Sequence, residues 1–252
     1  MSVLSGFADL SLWQLVLVAG VAFAASLVGG VSGYGTGALM PLVLVPLVGA
    51  APVVPIIAIS ALFNNMSRLV AFRRHADLRR AALAGVFALP TCVLGAWGYT
   101  RLSGTGAALV IGAMLIASVP LRRHLKRRDF KVGDQGLALG ALGYGVVVGG
   151  TAGSGVILLA LLMAAGVEGA AVIATDAAIS ILISMVKLAV FRLAGAITAQ
   201  VVALALLIGI VAIPGAFLAR AFVARMPLRV HTAILDAVVV VGGATMILSA
   251  LR

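Results

Sequence analysis

GGVSGYG, residues 29–35, and GGTAGSG, residues 149–155, set four glycines at the same spacing 120 residues apart. Glycine is 30 of the 252 residues, so a match in one given register arises by chance about twice in ten thousand times. Other matches follow in order. Phe72-Arg73 corresponds to Phe191-Arg192, and PLR (120–122) to ALR (250–252). The run ALPTCVLGAWGYTRL (88–102) resembles AIPGAFLARAFVARM (212–226), with Pro90 on Pro214. The chain therefore reads as a duplication, with residues 1–121 and 135–252 as its two copies.

Hydrophobic residues make up 63% of the chain and charged residues 10%, with a mean hydropathy of +1.24. A soluble exterior needs more polar surface than this chain carries, so lipid is its natural solvent. Apolar runs fall at 12–30, 36–50, 52–72, 81–100, 103–121, 135–152, 154–167, 169–191, 197–219 and 230–251. They are continuously apolar rather than alternating, which predicts helices and not barrel strands. The expected fold is an all-α polytopic membrane protein of about ten hydrophobic segments in two five-segment repeats. An odd number of segments per copy inverts the second copy, an architecture common among secondary transporters. Broken or short helices are expected at the glycine motifs, where the short segments 36–50 and 154–167 either cross or dip in and return.

The net charge is +11. The basic residues cluster in short loops between apolar runs, a pattern of membrane topology rather than of nucleic-acid binding. Loops at 73–80, 122–131 and 220–229 hold 13 of the 18 Lys and Arg residues. The positive-inside rule places these loops in the cytoplasm and both termini outside. RRHLKRRDFKVGD, residues 122–134, is the expected cytoplasmic linker between the halves. The N-terminus has no basic region ahead of its first apolar run, so that run is expected to be retained as a membrane segment. The single cysteine, Cys92, rules out an intrachain disulfide and a cysteine zinc cluster.

At the glycine motifs, backbone amides freed by a break and the helix N-terminus that follows favour an anion. Gly33, Tyr34 and Gly35 in one copy, and Gly153, Ser154 and Gly155 in the other, are therefore candidate substrate contacts. The same glycines also suit tight helix packing. A dinucleotide loop is excluded, because no βαβ unit surrounds the motif.

Charged side chains within a membrane cost about 2.5–3.5 kcal/mol each on insertion scales. Arg68, Asp176, Lys187 and Asp236 are the four such residues here. Arg68 and Lys187 each lie four residues before the matching Phe-Arg, so the repeat puts one cation in each copy. Both also lie near a span end, where a long cationic side chain can snorkel to the interface. Ser60, Asn64 and Ser67 share a helical face, with Asn65 and Arg68 beside it. Thr175, Asp176, Ser180, Ser184 and Lys187 form a comparable face in the second copy. Two such faces suggest a polar cavity between the halves that donates hydrogen bonds to anion oxygens, or hydrogen bonding between helices. Asp176 is the candidate for proton coupling, with a structural ion pair as its other reading. Asp236 reads as a partner of Arg229 or His231 near the inner face. Trp97 reads as an interfacial anchor. No His, Asp, Glu or Cys spacing suggests a metal site, and no nucleophile and base pairing suggests an enzyme.

GGVSGYGTGALMPLVL, the helix ending SRLVAFRRHADLRR and the second GGTAGSG half together resemble the sulfite exporter TauE/SafE family over nearly the whole chain. The resemblance implies a bacterial inner-membrane transporter of sulfite, sulfoacetate or related organosulfur anions. The halves are not identical at the motif, since Tyr34 is matched by Ser154 and Pro41 by Leu161. The expected substrate contacts are Gly33, Tyr34, Gly35, Asn64, Asn65, Ser67, Arg68, Gly153, Ser154, Gly155, Ser184 and Lys187. The expected partners are a small anion and the bilayer, with no cofactor and no nucleic acid, and the sequence is compatible with a homo-oligomer. An anion channel, an importer of another small anion and a non-transporting assembly subunit stay open.

Overall fold

The computed structural model describes residues 3–32, 35–127, 131–222 and 228–251. Gly33 and Tyr34, and the side chain of Asp236 with its expected partners Arg229 and His231, lie outside the described residues. Ten α-helices and no strand occur among the described residues: α1 (Leu12–Ser32), α2 (Gly35–Val48), α3 (Val53–Phe72), α4 (Leu78–Thr100), α5 (Gly104–Arg127), α6 (Asp134–Gly150), α7 (Gly155–Ala164), α8 (Ala170–Leu193), α9 (Ala199–Phe222) and α10 (Leu228–Ala250). Among the described residues, five helices are long and apolar enough to cross a membrane, namely α1, α3, α4, α5 and α8.

Contacts at the helix ends sort the chain between two ends of the bundle. At one end the Tyr99 hydroxyl donates to the Ala50 carbonyl at 2.7 Å, and the Tyr99 and Phe191 rings meet edge to face at 6.1 Å. Gly6, ahead of α1, lies against Ala199 at the start of α9. At the other end the Asp77 amide donates to Thr175 Oγ1 at 3.0 Å, Arg79 pairs with Asp134, and the Val132 amide donates to the Ala164 carbonyl at 2.8 Å. The α1–α2 hairpin therefore starts and finishes at the Tyr99 end, and the α6–α7 hairpin at the Asp77 end.

Of the two paths left open for the short segments, these contacts favour the return. At 1.5 Å per residue α2 is about 21 Å long and α7 about 15 Å, short of a hydrocarbon core about 30 Å thick. Both helices break from their predecessors at the glycine motifs, where Gly153 has a φ of +82° that an L side chain rarely adopts. The helix-forming run RRHLKR, the first part of the expected linker, belongs to α5 as far as Arg127, and α6 begins at Asp134.

Packing relies on glycine. α6 lies along α4 so closely that a Cβ on Gly149 would sit 2.3 Å from the Cys92 carbonyl oxygen, and one on Gly95 would sit 2.1 Å from that of Val146. At the centre the hairpin tips meet, and a Cβ on Gly37 would stand 3.1 Å from the Gly153 nitrogen. Other contacts join α3 to α8, α3 to α9, α4 to α8, α1 to α9 and α5 to α10. Two apolar cores result. One is built around Met40, Leu44, Ile56, Ile111, Leu204 and Ile208, the other around Leu137, Leu158, Leu162, Ile179 and Ile183.

The Asp77 side chain caps α4. It accepts from the Arg80 amide at 3.0 Å and pairs with Arg80 Nη1 at 2.7 Å. These bonds, the backbone one first, hold its carboxyl below the ordinary value of 3.8. A lowered carboxyl stabilises the fold above its unfolded value, and that contribution fades as pH falls through the folded value. Asp77→Ala is expected to cost about 1 kcal/mol at neutral pH, seen as a lower melting temperature in detergent, with the deficit against the parent narrowing below pH 3.8. Gly149→Leu is expected to abolish recovery of monodisperse protein, because the α4 backbone at Cys92, Gly95 and Ala96 blocks the new side chain. Gly98→Ala on α4, where nothing lies within 4 Å of the new Cβ, is expected to be tolerated and is the control in the same size-exclusion assay.

Candidate functional site

A cavity of about 120 Å³ lies where the two glycine breaks meet the polar faces of α3 and α8. Gly35, Thr36 and Gly37 contribute the N-terminal turn of α2, and Gly153, Ser154 and Gly155 the entry to α7. The first amides of a helix lack intrahelical partners and carry partial positive charge. Two such N-termini therefore converge on one space. Ser154, at the N-cap position of α7, is buried and its hydroxyl makes no capping bond.

Both in-membrane cations reach the cavity and are buried, Arg68 at 3% exposure and Lys187 at 5%, so neither snorkels. Lys187 is held where helix α6 ends. Its Nζ donates to the carbonyls of Val148 at 2.8 Å and Thr151 at 3.2 Å. The last carbonyls of a helix are otherwise unsatisfied and favour a cation, which explains how a lysine is accommodated so deep. Arg68 is held differently. Its Nη1 donates to Asn65 Oδ1 at 3.0 Å, and its Nη2 lies 3.0 Å from Asp176 Oδ2 on α8. Asp176 is itself 1% exposed and is, among the described residues, the one acid lining the cavity. The sequence offered an ion pair as the second reading of Asp176 without naming its partner, and the structure gives Arg68. Two cations and one carboxylate leave the lining with a net positive charge.

The amides and hydroxyls divide between structure and cavity. Asn64 Nδ2 donates to Thr36 Oγ1 at 3.3 Å and its Oδ1 accepts from Ser26 at 3.4 Å, so Asn64 ties the start of α2 to α3 and α1. Asn65, Ser180 and Ser184 line the cavity from α3 and α8. Ser67 does not line it, because its hydroxyl donates to the Phe63 carbonyl one turn back along α3. Trp97 stays 54% exposed, with the Arg101 guanidinium 4.8 Å from its ring centre. His75 is exposed on its loop. Among the described residues no group of three His, Cys, Asp or Glu side chains is placed to hold a metal ion.

Of the expected contacts, Gly35, Asn64, Asn65, Arg68, Gly153, Ser154, Gly155, Ser184 and Lys187 come together around this space, as does Asp176. Sequence reasoning did not single out Thr36, Tyr144 or Thr151, which also line it. Thr36 and Thr151 belong to or adjoin the glycine motifs, so their position carried the signal. Tyr144 falls between glycines on α6, and the duplication gives no aromatic counterpart for it.

Comparison with curated proteins and with solved structures gave no match. The model of the sulfite exporter TauE/SafE family matches residues 18–246, nearly the whole chain, and the chain belongs to that family.

Proposed function

We propose that the protein is a secondary transporter of the bacterial inner membrane that exports sulfite or a small organosulfonate by alternating access. The observation that carries this reading is the convergence of two half-helix N-termini and two buried cations on one cavity at the meeting of the hairpin tips. Backbone amides of α2 and α7 would receive the anion, Arg68 and Lys187 would supply positive potential, and Asn65, Ser154 and Ser184 would donate hydrogen bonds to its oxygens.

The two halves would be inverted copies, each a re-entrant hairpin followed by three crossing helices. The packing supports this. Exchanging each helix of α1–α5 with its counterpart in α6–α10 turns the α4–α6 contact into α9–α1, α3–α9 into α8–α4 and α2–α10 into α7–α5, all of which occur. α3–α8 and α5–α10 map onto themselves. With the Asp77 end and its basic loops in the cytoplasm, the two hairpins enter from opposite sides, as alternating access around a fixed midplane site requires.

Asp176 is the proposed proton-coupling group. It faces Arg68 from α3, and shares the cavity with Tyr144 from α6 and Lys187 further along its own helix.

Purified protein in liposomes is expected to take up labelled sulfite and a short alkanesulfonate with saturable kinetics. The Arg68→Ala, Lys187→Ala double variant is expected to lose at least about tenfold in uptake, the scale of one lost hydrogen bond to a charged group. Parental flux from that variant, shown to be folded, would sink the assignment of the two cations. An inward proton gradient is expected to change the rate in the parent and not in Asp176→Asn. Equal gradient responses in the two proteins remove Asp176 as the coupling group.

A further inference from the structure

Arg68 and Lys187 hold equivalent places in the duplicated sequence, yet they face different counter-charges. Lys187 meets carbonyls, which carry partial charge only. Arg68 meets a full carboxylate. The residue that matches Asp176 in the first half is Ile57, so the acid belongs to one half alone.

The contact between Arg68 and Asp176 is incomplete. It joins one guanidinium nitrogen to one carboxylate oxygen. Arg68 Nε and Nη2 and Asp176 Oδ1 are buried and have no hydrogen-bond partner, so the pair is a charge contact and not an aligned hydrogen bond. A guanidinium presents a planar fork that fits two oxygens of one anion in parallel. Asp176 leaves that fork part-used, in a cavity lined by both residues and by two helix N-termini. An anion carrying several oxygens on one centre, free to orient, can satisfy the fork better than a carboxylate fixed on α8.

We propose that Asp176 is a resident counter-anion that occupies Arg68 while the cavity is empty, and that a transported oxyanion takes the guanidinium over from it. This rests on the anion-transporter reading and adds a competition to it. The same pair ties α3 to α8, which carry the two polar faces. Ligand binding thus replaces a helix-to-helix contact with a helix-to-ligand one, and frees the two helices from each other beside the Asp77 end, where Thr175 holds the loop amide of Asp77.

The test is the concentration dependence of labelled sulfite uptake into liposomes holding the full chain. Asp176→Asn removes the competitor and is expected to lower the apparent KM about tenfold, the lower end for a hydrogen bond to a charged group. A purely structural pair predicts the opposite, since an unpaired Arg68 would disturb the site. An unchanged or raised KM in folded Asp176→Asn overturns the proposal. The neutral pair Arg68→Gln, Asp176→Asn removes both charges and decides the matter alone if the single variant does not fold. Its KM is expected to stand at least about tenfold above the parent, because the ligand's own partner is gone. A parental KM in that double variant shows a structural pair and overturns the proposal. Absence of saturable flux in the parent itself overturns the transporter reading, a result distinct from either variant's failure.

Discussion

Backbone meeting backbone is the constraint on which the rest of this bundle depends. Helix α6 lies on α4 with carbonyls where side chains would stand, at Gly95, Gly145 and Gly149. Gly35 lies on α1 in the same way, against the Ala25 carbonyl and Gly29. In lipid there is no hydrophobic gain from bringing apolar helices together, so close packing of small residues has to hold them. These approaches seat both hairpins deep in the bundle and bring Gly37 to Gly153 at its centre. Only there are helix ends, with their unsatisfied amides and carbonyls, tolerated away from water, because they face a polar cavity and not lipid.

Those helix ends in turn make room for charge. Removing one partner of a buried ion pair costs about 3–5 kcal/mol, because the other is left uncompensated. Lys187 avoids that cost without an acid, by sitting on the carbonyl end of α6. Arg68 depends on Asn65 and Asp176. The broken helix thus serves both signs of charge. The start of α7 turns positive ends toward the cavity, while the end of α6, five residues earlier in the chain, holds a cation beside it.

The fold was legible in the sequence to the extent that a single physical rule governed each part. The apolar runs predicted the positions of all ten helices to within a few residues, because in lipid every backbone group must be satisfied within its own helix. The glycine motifs marked the breaks. The path of the short helices was not legible, since a run of 14 apolar residues reads the same whether it crosses or returns, and the return is decided by contacts such as Val132 to Ala164. Arg68, Asn65, Ser184 and Lys187 were legible as residues that would share a polar cavity because helical spacing set them on two faces. Ser67, on the same face by spacing, is not among the cavity's lining residues, and spacing cannot show that its hydroxyl turns back onto its own helix. The Arg68–Asp176 pair was beyond reach, for it joins helices 108 residues apart in the chain.

Duplication and divergence act on different layers of this molecule. The helix contacts are interchangeable between the two proposed halves, since a change to one glycine contact would have to be answered by its neighbours on two helices. The side chains in the cavity are free of that restraint, and there matched positions of the sequence differ: Arg68 against Lys187, Asn65 against Ser184, Ile57 against Asp176. In the proposed inverted repeat, a symmetric frame around an asymmetric site would allow two conformations of similar energy without requiring that they bind an anion equally. A ligand shifts such an equilibrium only through its differential affinity for the two states. The acid on one side supplies a difference of that kind, because a single carboxylate distinguishes the end it ties from the end it does not.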